Sequence, residues 1–247
     1  MPHERRTYRK RVDARGLVAS VVRVGETNLM VLAPCDVTDS ARRFAVEARA
    51  ELHAYRKADP AFFESLEPRQ VAPDAPPVVR EMARAGAAAG VGPMAAVAGA
   101  IAERVGRGLL AELAGDGAEV IVENGGDVFM KTTVVRRAAI FAGESPLSGR
   151  LAIEIDPVET PLGLATSSAT VGPSLSFGSA DAAVVLAADA ALADAVATGL
   201  GNRVRARGDI APALGWALDI EGVAGAIVIL GEHFGAQGKV RLRPAGV

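Results

Sequence analysis

Two oxygen-bearing side chains lie four residues apart in the last third of the sequence. Asp194 and Thr198 fall in a stretch, 188–202, whose apolar spacing predicts a helix. Because residues i and i+4 share one face of a helix, the carboxylate and the hydroxyl lie side by side. Both are hard oxygen ligands, suited to a magnesium ion that also holds substrate phosphates. The structural alternative is a threonine bonded back to the carbonyl of residue 194 beside a solvated aspartate.

Residues 123–127 read Glu-Asn-Gly-Gly-Asp and predict a tight hairpin turn between two strands. The glycines Gly125 and Gly126 also allow main-chain amides to approach a ligand closely. In that interpretation Asn124 and Asp127 add polar contacts to the ligand. From these residues alone, the turn is the simpler explanation.

A segment dense in hydroxyl groups, 166–170, begins with Thr166, Ser167 and Ser168. Such a loop can hydrogen-bond a phosphate or a ribose, or it can cap its own turns, and both readings stay open. Further upstream, residues 90–95 have the Gly-x-Gly-x-x-Ala spacing of a dinucleotide loop, but they follow a predicted helix where a strand is needed. Because Gly92 has no side chain, the amides of the next helix would be accessible to an anion. The alternative is that Gly92 only turns the chain between two packed helices.

Taken in order, these motifs resemble those of the ApbE-type FAD:protein FMN transferases. Four segments carry the resemblance: VAGAIAE at 97–103, VIVENGGDVF at 120–129, LATSSATVG at 164–172 and AAVVLAADAALADAVATGL at 182–200. The chain is more similar still to an uncharacterised prokaryotic sister family of these transferases. That similarity extends over nearly the whole chain, from residue 8 to residue 242.

The resemblance implies an α+β fold of the T-fold type, with antiparallel sheets packed with helices. It implies a single domain, 1–247, with 1–70 and 71–247 as subregions. The resemblance also implies site residues, by position. Magnesium would be held by Asp194, Thr198 and the carbonyl of Ala102, and the flavin nucleotide FAD would be bound by Asn124, Gly125, Gly126, Asp127, Thr166, Ser167 and Ser168.

The sequence also departs from the transferases. Their His-Ile-Ile-Asp-Pro motif is replaced by Ser179, Ala180 and Asp181, and Val97 and Glu103 stand where the transferases carry an aspartate and a lysine. Two functions therefore stay open. The first is a magnesium-dependent FAD-binding enzyme that transfers FMN or cleaves the FAD pyrophosphate, with Asp181 as general base. The second is a flavin-binding or structural protein that has lost the transferase activity.

The elements that must position these residues come in groups of strands with helices between the groups, which favours α+β over a parallel sheet. Apolar alternation predicts strands at 8–12, 18–24, 29–32, 119–123, 128–133, 134–142, 151–155, 162–165, 182–186, 226–230 and 239–242. Helical spacing predicts helices at 38–55, 77–89, 93–113, 188–202 and 210–218. The proline-rich stretch 60–77 is predicted to be a loop anchored by Phe62 and Phe63.

Composition restricts the partners. The 247 residues include 27 basic and 29 acidic side chains, so the basic face that nucleic acid requires is not expected. One cysteine excludes an internal disulfide, and the cysteine and histidine spacing does not suit zinc. The longest uncharged run, 85–102, is only weakly apolar, and no signal peptide is evident, so we expect a cytoplasmic protein without membrane contact. The resemblance to the transferases implies a flavin nucleotide and a protein acceptor as partners, and a homodimer stays open.

Overall fold

Two antiparallel sheets and a layer of helices form the part of the chain that the computed structural model describes, residues 14–113, 118–169 and 177–245. The large sheet has eight strands, in the order β1 (Val18–Val24), β2 (Thr27–Ala33), β3 (Val120–Asn124), β4 (Asp127–Lys131), β7 (Leu162–Ser167), β8 (Ala182–Ala187), β9 (Val223–Leu230) and β10 (His233–Gly238). The small sheet has the order β11 (Leu242–Pro244), β6 (Leu151–Ile155) and β5 (Arg136–Ala139).

Within the described residues, six α-helices accompany the sheets, with the bounds α1 (Thr38–Ala58), α2 (Pro60–Glu64), α3 (Pro77–Ala89), α4 (Val97–Leu113), α5 (Ala190–Arg203) and α6 (Ile210–Leu218). Their ends follow local chemistry. The Asp36 carboxylate accepts a hydrogen bond from the Thr38 amide at the start of α1 (2.9 Å), and Asp189 accepts one from the Leu192 amide at the start of α5 (2.8 Å). Gly90 ends α3 in the left-handed conformation, with φ +66°.

Alternation along the strands divides the core into two clusters. In β3 and β4, Val122 and Phe129 pack with the helices, whereas Ile121 and Met130 pack with residues of the small sheet. The large sheet therefore buries both faces, one under the helical layer and the other under β5 and β6. Side chains at the ends of its strands also alternate between these two faces, and only those on the helix-covered face can reach the helices.

The predicted α+β class with antiparallel sheets and packed helices is confirmed. Predicted helices and strands recur with small shifts in their ends, and Phe62 is fully buried as an anchor, although 60–64 forms α2 within the predicted loop. The predicted strand at 239–242 is wrong, because the chain forms a hairpin with β10 at 233–238 and then β11 at 242–244. Three small residues in β10 weaken the apolar alternation that marks a strand. The predicted strand at 8–12 lies outside the described residues.

The predicted subregions 1–70 and 71–247 share one sheet, because β2 pairs with β3 over four residue pairs. The number of domains stays a prediction. Among the described residues, no single helix is long and apolar enough to cross a membrane. The helix pair Pro77–Ala89 and Pro93–Leu113, bent by 105°, reaches that length and apolarity only jointly.

Candidate functional site

The turn between β3 and β4 forms one side of the candidate site. Gly125 and Gly126 have φ values of +73° and +112°, as a tight two-residue hairpin turn requires, and Asn124 is paired with Asp127. By alternation with Val122 and Phe129, the side chains of Asn124 and Asp127 lie on the helix-covered face of the sheet. The glycine turn therefore directs an amide and a carboxylate toward the helical layer.

The start of α4 forms the second side. The Asn124 Nδ2 atom donates to the carbonyl oxygen of Ala98 at 3.0 Å. Asp194, on α5, accepts hydrogen bonds from the amide of Gly99 at 2.9 Å and from the amide of Ala98. A Cβ at Gly99 would lie 2.1 Å from the Ala190 oxygen, so only glycine allows this approach of α4 and α5. The first turn of α4 thus connects the β3–β4 turn to α5.

Asp127 and Asp194 form an acidic pair within this frame. Burial raises the pKa of Asp194 to about 7, although the amides of Gly99 and Ala98 oppose the shift. Burial also raises the pKa of Asp127 well above its usual range. The charges of Asp194 and Glu123 raise it further, while a hydrogen bond from the Thr166 amide acts in the opposite direction. Simultaneous ionisation of the two carboxyls is therefore unfavourable unless a cation compensates their charges, and without a cation the pair tends to keep a proton.

Hydroxyl groups lie on the same side of α5 as the acidic pair or close to this helix. Between residues 191 and 200, Asp194 and Thr198 are the two half-buried residues in an otherwise buried stretch of α5, in agreement with their predicted common face. In β7, Ser167 Oγ lies 3.6 Å from the Cβ position of Gly201 on α5. Thr166 contributes its backbone amide, which donates to Asp127. Ser168 follows directly and is half-buried.

Two predicted site residues, Gly92 and Asp181, have other contacts, and a third, Ala102, lies farther along α4. Gly92 is buried, and a Cβ there would lie 1.9 Å from the oxygen of Ser65, so packing accounts for this glycine. Ala102 lies inside α4, one turn beyond the Ala98 and Gly99 amides that contact Asp194. Asp181 accepts a hydrogen bond from the Gly231 amide at 2.7 Å, in the turn between β9 and β10. The ligand-binding and catalytic roles of these three residues stay predictions.

Asp181 lies toward the other end of α5 from Asp194. Two residues earlier, the backbone amide of Ser179 donates a hydrogen bond to the carbonyl oxygen of Val204, which lies just beyond the C-terminus of α5. With a rise of about 1.5 Å per residue, position 204 lies roughly 15 Å along the axis from Asp194. A base at position 181 would therefore act well away from the acidic pair.

Sequence reasoning missed a cavity beside this site. It measures about 460 Å³ and is bounded by the β1–β2 turn, α1, Phe63 and the start of α4, with Ala98 and Asn124 in its wall. The basic residues Arg49, His53 and Arg56 line it from α1. Their spacing of four and three residues is the signal that would have indicated a common helix face.

The donor set fits magnesium better than a metal that needs many protein ligands. Among the described residues, no group of three or more His, Cys, Asp and Glu side chains could hold a metal ion. Magnesium keeps several waters and binds one or two carboxylates together with substrate phosphates. Asp127, Asp194 and the Thr198 hydroxyl offer that kind of incomplete oxygen shell.

The architecture is that of the flavin transferase ApbE. The chain matches flavin transferase ApbE from Vibrio cholerae with a TM-score of 0.59 and 15% identity, over 90% of this chain and 96% of that one. The apo flavinyl transferase ApbE of Pseudomonas stutzeri matches with a TM-score of 0.56 and 16% identity, over 90% and 94%. At these identities the comparison establishes the fold.

Sequence comparison establishes the family. Residues 9–234 match the family described as AbpE bacteria, and the chain belongs to that family. It is 47% identical to a UPF0280 protein of Methanocella arvoryzae over 78% of this chain and 77% of that protein. A UPF0280 protein of Methanococcus aeolicus is 39% identical over 91% of each chain. The expected membership of an ApbE-like family of uncharacterised proteins is confirmed.

Proposed function

We propose that this protein binds a flavin nucleotide together with Mg²⁺ at the face formed by Asp127, Asp194 and Thr198, and that it acts on the phosphoanhydride of FAD. In the reaction, a water molecule or an acceptor hydroxyl forms a bond to the FMN phosphorus. The anhydride bond breaks, AMP leaves with the bond electrons, and the proton of the nucleophile passes to solvent or to a base. The products are FMN, free or attached to the acceptor, and AMP.

The observation that carries this proposal is the acidic pair. Two carboxylates from different elements, Asp127 on β4 and Asp194 on α5, are close enough for the charge of one to raise the pKa of the other. Such a pair is costly in a plain core, because two like charges are held close together, with Asp127 buried and Asp194 half-buried. The presence of this pair at the end of a glycine turn is explained if a cation binds there.

Magnesium bound at this face would neutralise charge on the phosphate oxygens as the anhydride is attacked. The remaining roles belong to the chain itself. Asn124 holds the first turn of α4 through Ala98, and Asp194 holds the same turn through Gly99. The hydroxyls of Ser167 and Thr198 are suited to donate to phosphate oxygens. Gly125 and Gly126 have no side chains, so the amides of the turn stay accessible to a ligand.

A second candidate function is binding of the flavin nucleotide without chemistry. One observation favours it. At the position of the transferases' His-Ile-Ile-Asp-Pro motif, the Ser179 amide donates to the Val204 carbonyl and the Asp181 carboxylate accepts from the Gly231 amide, so both residues have structural contacts. A chain with this arrangement retains the acidic pair and the glycine turn but lacks the transferases' catalytic motif. It would then act as a flavin carrier or as a structural protein.

The experiment incubates the purified chain with FAD, with and without MgCl₂, and separates FMN and AMP by chromatography. We expect magnesium-dependent formation of both products. Removing the Asp194 charge with Asp194→Asn should reduce the rate on the order of 100-fold or more, because metal charge stabilisation contributes several kcal/mol. Asp219→Asn, which changes an exposed aspartate after α6, serves as the matched control.

The outcomes separate the two candidates. Equal amounts of FMN and AMP that depend on both magnesium and Asp194 support the enzyme. FAD binding by calorimetry without any product supports the carrier. A flat calorimetric trace with FAD, ADP and FMN, with and without MgCl₂, contradicts both.

A further inference from the structure

We propose that the cavity beside α1 is a binding subsite for a phosphorylated aromatic group. The inference rests on the proposed function in one respect, because the group is taken to be one half of the flavin dinucleotide. We call this space the α1 cavity and define it by Arg49, His53, Arg56, Phe63 and Met94. Its volume of about 460 Å³ lies within the range of small-molecule sites.

The cationic side of the α1 cavity comes from one helix face. Arg49 donates to Thr27 Oγ1 at 3.0 Å and pairs with Glu26, so the β1–β2 turn holds it in place and offsets its charge. Arg56 has no ion pair with any residue that the structure describes, and its guanidinium lies 5.7 Å from the centre of the Phe63 ring. Arg56 is therefore the charge available to a ligand, with the imidazole of His53 one turn before it. Arginine suits phosphate because its planar fork binds two oxygens.

Other residues that line the α1 cavity are apolar. Phe63, Val97 and Ile101 line the cavity without polar groups, and Met94 leaves 39% of its surface exposed. An aromatic ring and a methionine thioether are suitable surfaces for a planar ring system. A cavity with apolar walls and a cationic side selects a molecule that joins a flat ring to a phosphate. An inorganic anion would use only one of these two sides.

The α1 cavity adjoins the acidic pair through two shared residues. Asn124 and Ala98 line the cavity, and they are hydrogen-bonded to each other at 3.0 Å. The amide of Ala98 also contacts Asp194. A ligand that fills the cavity and continues past Ala98 therefore meets the carboxylates. This arrangement fits a dinucleotide whose ring-bearing half occupies the cavity and whose anhydride lies at the pair.

The test titrates FMN, AMP, riboflavin and adenosine into the protein without magnesium, by calorimetry. The phosphorylated member of one pair should bind about tenfold more tightly than its nucleoside or riboflavin counterpart, and Arg56→Gln should remove most of that difference. Lys57→Gln removes a charge from the adjacent exposed position, outside the cavity, and should leave the difference unchanged. Preference for FMN or for AMP identifies the half of the dinucleotide that the cavity takes.

A second variant tests the apolar wall. Met94→Glu places a carboxylate in the cavity at an exposed position, so folding should be retained and the binding of FMN or AMP should fall by tenfold or more. The proposed subsite would be overturned if Arg56→Gln and Lys57→Gln reduced the affinity difference between phosphorylated and unphosphorylated ligands equally. It would also be overturned if the unmodified protein showed no such difference. These titrations contain no magnesium and no cleavable anhydride, so they stand apart from the FAD cleavage assay. FAD cleavage that survives both Arg56→Gln and Met94→Glu at unchanged KM would also overturn the subsite and leave the proposed function intact.

Discussion

The Asp194 carboxylate, on α5, accepts a hydrogen bond from the amide of Gly99, on α4, 95 positions earlier in the chain, with 2.9 Å between Oδ2 and N. The same carboxylate belongs to the acidic pair with Asp127. One side chain therefore both joins two helices and carries charge at the candidate site. Substitutions at this contact can separate the contribution of Asp194 to stability from its contribution to magnesium binding.

Asp194→Asn should increase stability while removing the response to magnesium. Asparagine retains an acceptor for the Gly99 amide and removes the charge that opposes Asp127, so we expect the free energy of unfolding in metal-free buffer to rise by about 1 kcal/mol. The unmodified protein and Asp219→Asn should show a higher Tm when MgCl₂ is added, and Asp194→Asn should not. Thermal denaturation with and without MgCl₂ measures both effects, and an identical magnesium response in all three proteins would contradict the metal assignment.

Gly99→Ala should strongly destabilise the protein. A Cβ at this position would lie 2.1 Å from the Ala190 oxygen and 2.9 Å from the Asp194 Cβ, so α4 and α5 must separate, at a cost of about 3 kcal/mol. Gly215→Ala is the matched control, since Gly215 is also helical and its Cβ would have no atom within 4 Å. That control should gain about 0.5–1 kcal/mol. Urea denaturation compares the two variants, and similar values for both would refute the close approach.

Stability should fall in acid through Glu119. Burial alone would raise the pKa of this carboxyl, but hydrogen bonds from Thr132 Oγ1, the Thr133 amide and Arg136 outweigh it and lower the pKa to about 2. A group with a lowered folded pKa stabilises above its unfolded value, here 4.5, and this stabilisation is lost as the pH falls from about 4.5 to about 2. The loss amounts to about 3 kcal/mol.

The check measures the free energy of unfolding at pH 7 and pH 3 for the unmodified protein, Glu119→Gln and Glu64→Gln. Glu119→Gln should be less stable at pH 7 and should show a smaller loss between the two pH values. Glu64→Gln changes an exposed carboxylate on α2 and should behave like the unmodified protein. A pH dependence that Glu119→Gln leaves unchanged would assign the acid sensitivity to other groups.

Asp181→Asn distinguishes a base from a turn support. Asparagine can still accept the hydrogen bond from the Gly231 amide but cannot take up a proton. Because the carboxylate is engaged in the β9–β10 turn, we expect Asp181→Asn to keep both its stability and its rate of FAD cleavage, while Asp181→Ala loses about 1–2 kcal/mol of stability. A folded Asp181→Asn protein that no longer cleaves FAD would instead support the general base inferred from the sequence.

Much of the fold could be predicted from local signals. The Asn124–Asp127 turn has two adjacent glycines, which is a strong hairpin signal, and the face shared by Asp194 and Thr198 follows from helical geometry. The β9–β10 hairpin was missed, because its turn, Gly231 and Glu232, lacks the usual asparagine or aspartate before glycine and β10 is short of apolar residues.

The pairing within the site could not be predicted in the same way. From the sequence, Asp127 is expected to contact the flavin and Asp194 to bind the metal, because a sequence shows no distance between elements so far apart in the chain. Gly92 illustrates the opposite limit: its sequence context suggested an anion site, and the buried contact with Ser65 gives a packing reason for the glycine. The basic face of α1 does not by itself indicate a site in the sequence, because arginines are common on the exposed faces of helices.

The order of strands in the large sheet constrains how the chain can fold. β2 pairs with β3, although residues 34–119, which include α1 to α4, separate them. This ladder cannot form as a local hairpin, and closing so long a loop costs entropy before any pairing is gained. During synthesis, the edge of β2 that pairs with β3 stays unpaired until residue 124 has left the ribosome. The nascent chain therefore exposes an apolar strand for several seconds, at common translation speeds of about 5–20 residues per second, and is vulnerable to aggregation during that interval.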